Sequence, residues 1–177
     1  MSFYTEQELV SLGIKYGSNV LISRFCKLYN PENIILGNHV RIDDFCILSS
    51  LNPIIIDDHV HISAGVYIYG SAGIHIHSYC NISASVKIFT ETDTFDGTCM
   101  IGPTVTREKR KIKSLFMTLE KHIVIGAGSI IMPCKLGEGV AIGANSFVNK
   151  DCEPWTIYAG SPIKKIRERS KDLLQLL

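Results

Sequence analysis

Residues 54–88 read IIIDDHVHISAGVYIYGSAGIHIHSYCNISASVKI. Isoleucine stands at 56, 62, 68, 76, 82 and 88, so aliphatic positions step by six, six and eight. The same step extends back to residue 14, with a repeat of 20 residues. Ile22, Ile42, Ile62 and Ile82 form one column. Leu28, Leu48, Ile68 and Ile88 form a second; Tyr16, Leu36, Ile56 and Ile76 form a third. Two residues before each stands another small or aliphatic residue, as in Ile14, Ile34, Ile54, Ile74 and in Cys26, Cys46, Val66, Val86. A period this short predicts a coiled parallel β-solenoid with three sides per coil. No coil could bury its apolar face alone, so the coils must stack. The eight-residue steps carry Asn30-Pro31, Asn52-Pro53 and Gly70-Ser71-Ala72-Gly73. These are turn-forming sequences and place a two-residue bulge at one corner.

Outward from this core, Thr5 and Glu8 have capping-box spacing and Gly13 follows as a stop, which predicts a short helix over 1–13. First coils are expected over 14–88. Residues 89–121, FTETDTFDGTCMIGPTVTREKRKIKSLFMTLEK, have no six-residue period. A loop this long inside a compact domain points to function, and the active-site loop is placed there. The last coils are expected over 122–151. They contain a five-residue step from Ile131 to Leu136 that the periodicity does not explain. Residues 152–177 are expected to end in a basic helix from about Pro162. The fold class is thus an all-β solenoid with a long loop insertion, a short N-terminal helix and a C-terminal helix, in one domain.

With 46% hydrophobic and 20% charged residues and a net charge of +1, nothing suggests binding to nucleic acid or insertion in a membrane. The start, MSFYTEQEL, lacks the features of a secretory signal, so a cytoplasmic protein is expected. Of six cysteines, Cys26, Cys46, Cys80 and Cys134 fall in inward columns and read as small core residues. Cys99 and Cys152 fall outside the columns and receive no role.

The runs IGAGSI (125–130) and IGANSF (142–147) resemble those of the hexapeptide-repeat acyltransferases, and the closing segment VNKDCEPWTIYAGSPIKKIRER (148–169) looks like the end of their coenzyme A-binding region. The resemblance covers nearly the whole chain. It implies a left-handed parallel β-helix, a homotrimer, and active sites between subunits. Left-handed crossovers run against the usual rule for parallel strands, so the handedness comes from the family alone. Three pieces point more narrowly: SFYTEQEL (2–9), GNHVRIDDFCILSS (37–50), and DTFDGTCMIGPTV (93–105) followed by EKHIVIGAGSII (120–131). Together they resemble N-acyltransferases of dTDP-linked 4-amino-4,6-dideoxyhexoses, enzymes that feed O-antigen, capsule or glycan assembly. The co-substrate implied is acetyl-CoA or another acyl-CoA, with acetyl the expected group and no metal.

Sugar O-acetyltransferases of this family carry a histidine in the loop after a strand ending like VKIFT (86–90). Residues 89–121 hold none. A hydroxyl needs a strong base to become a nucleophile, whereas a neutral amine does not, so the histidine-free loop favours amine acylation. Asp93 takes the family's loop position and is the expected catalytic residue; the alternative is that it caps a turn with Thr92 and Thr94. Asp96, before Gly97, reads first as a turn residue, with substrate contact as its functional reading. The resemblance places the coenzyme along Ala127, Ala144, Asn149, Lys150, Lys164 and Arg167. The small residues would admit the pantetheine arm and the cations would meet phosphates; the bland reading is small corner residues and a solvated charged face. His39 and His59 should stack on neighbouring coils. His59-Val60-His61 and His75-Ile76-His77 should each point one pair of rings outward. Such pairs suit metals, but the His-x4-His of the histidine-liganded carbonic anhydrases is missing, so no metal site is expected. His61 and Ser63 remain as weaker candidates for the substrate cleft. The readings left beside N-acylation are a sugar O-acetyltransferase and a non-catalytic assembly module.

Overall fold

The computed structural model describes residues 2–176. It is a three-sided parallel β-solenoid built from strands of two to four residues. The first face stacks Lys15–Tyr16, Ile34–Leu36, Ile54–Ile56, Ile74–Ile76 and Met117–Leu119. The second stacks Leu21–Ile22, Arg41–Ile42, His61–Ile62, Asn81–Ile82, Val124–Ile125, Ala141–Ile142 and Thr156–Ala159. The third stacks Lys27–Tyr29, Ile47–Ser49, Tyr67–Tyr69, Lys87–Phe89, Ile130–Ile131 and Phe147–Val148. Like pairs with like along every column: Ile42 with Ile62, Ile56 with Ile76, Leu48 with Ile68. Backbone groups pair between coils, as in Ile47 N–H to Val66 O at 2.9 Å and Tyr67 N–H to Val86 O at 2.9 Å. Ile22, Ile42, Ile62, Ile82, Ile125 and Ile142 are all buried. Each such side chain contributes about 1.5–3 kcal/mol by leaving water.

Every change in coil length falls at one corner, between the third and first faces. The other corners keep a six-residue step from Leu36 to the end: 36, 42, 48; 56, 62, 68; 76, 82, 88; 119, 125, 131; 136, 142, 148; then 152 and 158. At the variable corner the chain runs from Leu28 to Leu36, Leu48 to Ile56 and Ile68 to Ile76, then from Ile88 to Leu119, Ile131 to Leu136 and Val148 to Cys152. The five-residue step is therefore a shortened corner. Leu136 joins the first face by a single bridge to Leu119 on one side and Cys152 on the other, and Asp151 Oδ1 accepts the Lys135 N–H at 2.8 Å. Cys152, which has no place in the sequence columns, is buried as the next member of this stack. The first face returns at Met117, earlier than the expected restart at 122, because Met117 and Leu119 pair with Ile74 and Ile76.

The two ends are closed differently. Helix α1 (Glu6–Ser11) carries the predicted capping box between Thr5 and Glu8 and buries Leu9 under the first coil. Arg24 grips Glu8 at 2.5 Å through both terminal guanidinium nitrogens. At the other end the expected basic helix is a strand. Lys164–Glu168 runs antiparallel to Thr156–Ala159, after a reversal at Gly160 with φ 102°. The last coil leaves a row of unpaired backbone groups on its open edge, and these are best satisfied by another strand. A short 3-10 helix, Asp172–Leu176, follows. Among the described residues no helix is long and apolar enough to cross a membrane.

Candidate active site

The long insertion leaves the variable corner just past Phe89. Its root is a hairpin in which Glu91–Asp93 pairs antiparallel with Ile112–Ser114, and Asp93 stands opposite Ile112. This register carries Arg110 beside Asp93. Oδ1 of Asp93 accepts from Arg110 Nε at 2.8 Å, and Oδ2 accepts from Arg110 Nη2 at 2.9 Å and from the Gly102 N–H at 3.0 Å. The Arg110 hydrogen bonds, then the Gly102 N–H, hold the Asp93 carboxyl below the usual carboxylate range. Asp93 is therefore an anchored anion, not a turn cap. It lines a pocket of about 450 Å³ with Tyr69, Ser71, Phe89, Glu91, Thr92, Phe95, Pro103 and Arg110. Next to it, Thr94 Oγ1 is buried with no hydrogen-bond partner, an arrangement that costs about 1–3 kcal/mol unless a partner arrives. Asp96 accepts from the Thr98 N–H at 3.0 Å and the Thr98 hydroxyl at 2.6 Å, so its carboxylate closes a local turn.

The residues expected to hold the coenzyme fall into two groups. Ala127 and Ala144 are exposed at the corner between the second and third faces, one coil apart. Coil spacing is tight there: a Cβ on Gly126 would lie 2.4 Å from the Ala144 nitrogen. The Ala127 carbonyl accepts from Asn145 N–H at 2.9 Å. Among the described residues no hydrogen bond takes the Ala127 N–H or the Ala144 N–H and carbonyl. Asn149 and Lys150 are exposed past Val148, at the variable corner. Lys164 and Arg167 are exposed on the closing strand, and Lys165 between them is bound to Glu168 at 2.6 Å.

His61 lies on the second face, with Nε2 at 2.9 Å from Asp43 and Nδ1 at 3.1 Å from Asn81. Ser63 follows it, with its N–H bonded to Ile82. Asp93 sits at a different corner of the prism, and no hydrogen bond or ion pair joins it to His61 or Ser63 within the chain. The expected pairing of His59 with His61 fails for a backbone reason. His59 occupies the corner with φ 57°, which turns its ring away from the strand. It stacks instead in a ladder: His39 to His59 at 4.7 Å, His59 to Tyr79 at 5.1 Å, Tyr79 to His122 at 5.2 Å, and Trp155 at 6.1 Å from His122. His75 and His77 do point outward together, with ring centroids 3.9 Å apart. Asp57, one coil below, gives one oxygen to each ring, at 2.8 Å to His75 and 2.9 Å to His77. Their ligating atoms lie within 4.8 Å of one another. Each carboxylate oxygen is already engaged, so the trio is a satisfied rung that ties neighbouring coils.

The residue missed from sequence is Arg110. It belongs to the run REKRK (107–111), which looks like any solvated basic stretch until the hairpin register is known.

No protein-family model matches the chain. Among curated proteins, the dTDP-4-amino-4,6-dideoxy-D-glucose acyltransferase of Escherichia coli is 45% identical over 92 residues, which is 51% of this chain and 48% of that protein. The match thus spans about half the length of that curated relative. Among solved structures, AntD, an N-acyltransferase from Bacillus cereus in complex with dTDP and 3-hydroxybutyryl-CoA, is 42% identical with a TM-score of 0.95, covering 99% of this chain and 94% of that one. A variant of AntD in complex with dTDP-4-amino-4,6-dideoxyglucose and coenzyme A aligns with the same TM-score at 41% identity, with the same coverage of both chains. Other AntD structures carry a substitution of one aspartate. A maltose O-acetyltransferase from Clostridium difficile, 22% identical with a TM-score of 0.55, covers 94% of this chain and 75% of its own, and shares the fold. The solenoid is thus the left-handed parallel β-helix implied by the hexapeptide motifs, and the chain belongs to the hexapeptide-repeat acyltransferases, on the branch of AntD-like N-acyltransferases.

Proposed function

We propose that this protein transfers an acyl group from an acyl-CoA to the amine of a dTDP-linked 4-amino-4,6-dideoxyhexose. The observation that carries this reading is Asp93, an anchored carboxylate in a histidine-free loop, facing a pocket of about 450 Å³. A carboxylate held ionised suits a positively charged or hydrogen-bonding amine. The likeness to AntD, solved with dTDP-4-amino-4,6-dideoxyglucose and with 3-hydroxybutyryl-CoA, supports both substrate classes. Once neutral, the amine attacks the thioester carbonyl. The N–C bond forms, the C–S bond breaks, and the amine proton leaves with the coenzyme thiol, directly or through water. Ala127 and Ala144 offer open backbone groups to the pantetheine amides. Lys150, Lys164 and Arg167 supply cations for the coenzyme phosphates.

Donor and acceptor positions lie at opposite edges of the third face, Ala127 and Ala144 at one corner and Asp93 at the other. A second chain that brings its Asp93 loop to this chain's alanine corner would complete the site, which favours the homotrimer with active sites between subunits. The test is a thiol-release assay with acetyl-CoA and 3-hydroxybutyryl-CoA as donors. The acceptors are a dTDP-4-amino-4,6-dideoxyhexose and its 4-hydroxy counterpart. Release with the amine alone is expected. Equal release with the hydroxyl sugar would make the protein an O-acyltransferase. Neither release nor coenzyme binding would make it an assembly module.

A further inference from the structure

Asp57, His75 and His77 stand outside the residues that the acyl transfer uses, and with Glu120 they span coils on both sides of the long insertion. His75 and His77 flank the buried Ile76, so the strand aims both rings to the same outer side. Their backbone is fixed by the neighbouring coils. His75 is paired with Ile55 and Thr118, and the His77 N–H reaches Leu119 O at 2.9 Å. Asp57 stands one coil below, with its own N–H on Ile76 O at 2.9 Å. Its Oδ1 is 2.8 Å from His75 Nε2, and its Oδ2 is 2.9 Å from His77 Nδ1. One coil above, Glu120 Oε2 is 3.8 Å from His77 Nε2. The three side chains of the trio are between 25% and 33% exposed, so the cluster is open to small solutes.

We propose that Asp57, His75 and His77 form a binding site for a divalent transition-metal ion, which zinc can fill, and that Glu120 supports it from the next coil. Two imidazoles and a carboxylate are donors that zinc takes at about 2.0–2.2 Å. A tetrahedral ion holds such donors about 3.3 Å apart. The donor atoms here all lie within 4.8 Å of one another, so the widest gap closes by at most about 1.5 Å, within reach of side-chain rotation. The hydrogen bonds of the rung do not oppose this. Each ring ligates through the nitrogen that donates to Asp57, and the displaced proton passes through solvent to the other ring nitrogen, so both imidazoles stay neutral. On His77 that other nitrogen faces Glu120, which gives the carboxylate–histidine–metal order that orients a ligating ring and raises its basicity. The missing His-x4-His is no bar, because the third ligand comes from the coil below. Water fills the fourth position on the exposed side. The ion then clamps the Asp57 coil to the His75 coil, and through Glu120 to the coil that follows the insertion.

The test uses the untagged full chain, dialysed against a chelator. Zinc titrated in a calorimeter should saturate at one ion per chain, and cobalt should give the visible bands of a four-coordinate ion. Zinc at saturation should raise Tm, because it binds the folded chain alone. H75A and D57N should each abolish both signals while circular dichroism shows the coil stack intact. E120Q should weaken zinc about tenfold or more, as loss of an outer carboxylate does. H59N, in the ring ladder, should bind zinc as the wild type does. No saturable binding by the wild type would overturn the proposal, as would binding that survives in H75A and D57N or that is lost in H59N instead. If H75A and D57N do not fold, E120Q carries the test, since Glu120 is half exposed; wild-type affinity in E120Q would then overturn it.

Discussion

Ile76 is buried between Ile56 below and Leu119 above, so its side chain is enclosed by rigid rungs on both sides. Truncation to alanine opens a void that such rungs close poorly. I76A should cost about 2–5 kcal/mol, read by urea denaturation. The columns made this residue legible from sequence alone, and the same reading assigned Cys80 and Cys134 to the core. Burial pushes both thiols up to about 12, so they stay protonated and inert at neutral pH. Cys152 was not legible, because the shortened corner shifts it out of the six-residue count. Asp57 is a different case. Burial raises its carboxyl, but hydrogen bonds and charge from His75 and His77 outweigh this and leave it below its usual value. A carboxyl lowered by folding adds stability above its unfolded value, about pH 4, and loses it as pH falls through the folded value. D57N should therefore melt lower than the wild type at pH 6, and the gap should close in strongly acid buffer.

The corner is the element where sequence and structure part. Six-residue steps survive wherever two faces meet with a fixed turn, and every exception falls between the third and first faces. A loop at that corner interrupts no other column, which is why a long insertion and two short steps coexist with an unbroken stack. The ring ladder shows the opposite constraint. Between His122 and Trp155 one coil contributes Gly139, at φ 66°, and a Cβ there would lie 2.5 Å from the Trp155 ring. G139A should cost about 1–3 kcal/mol through overpacking, with a change in fluorescence of Trp155 as the ring is displaced. The C-terminal segment was misread for a local reason. KKIRERSK has the charge of a surface helix, yet all of Lys164–Glu168 is exposed as a strand because the last coil supplies an open edge. Edge pairing is a property of the stack, invisible in the segment itself.

At the scale of the whole molecule, one chain presents the open alanine corner and the Asp93 pocket on separate corners of a prism. Light scattering on the purified protein should give three times the 19.7 kDa chain mass. A monomer that still turns over would rule out the shared site. The composition and the hexapeptide columns were sufficient to determine the solenoid, its three sides, most of its core and the place where it is interrupted. Those features depend on burial repeated at fixed spacing, and spacing is written in the sequence. The pairing of Asp93 with Arg110, the burial of Cys152, the closing strand and the placing of Asp93 and the two alanines at different corners were decided by tertiary structure alone. Each depends on which backbone edges and side chains meet across many residues, and no local period encodes such meetings.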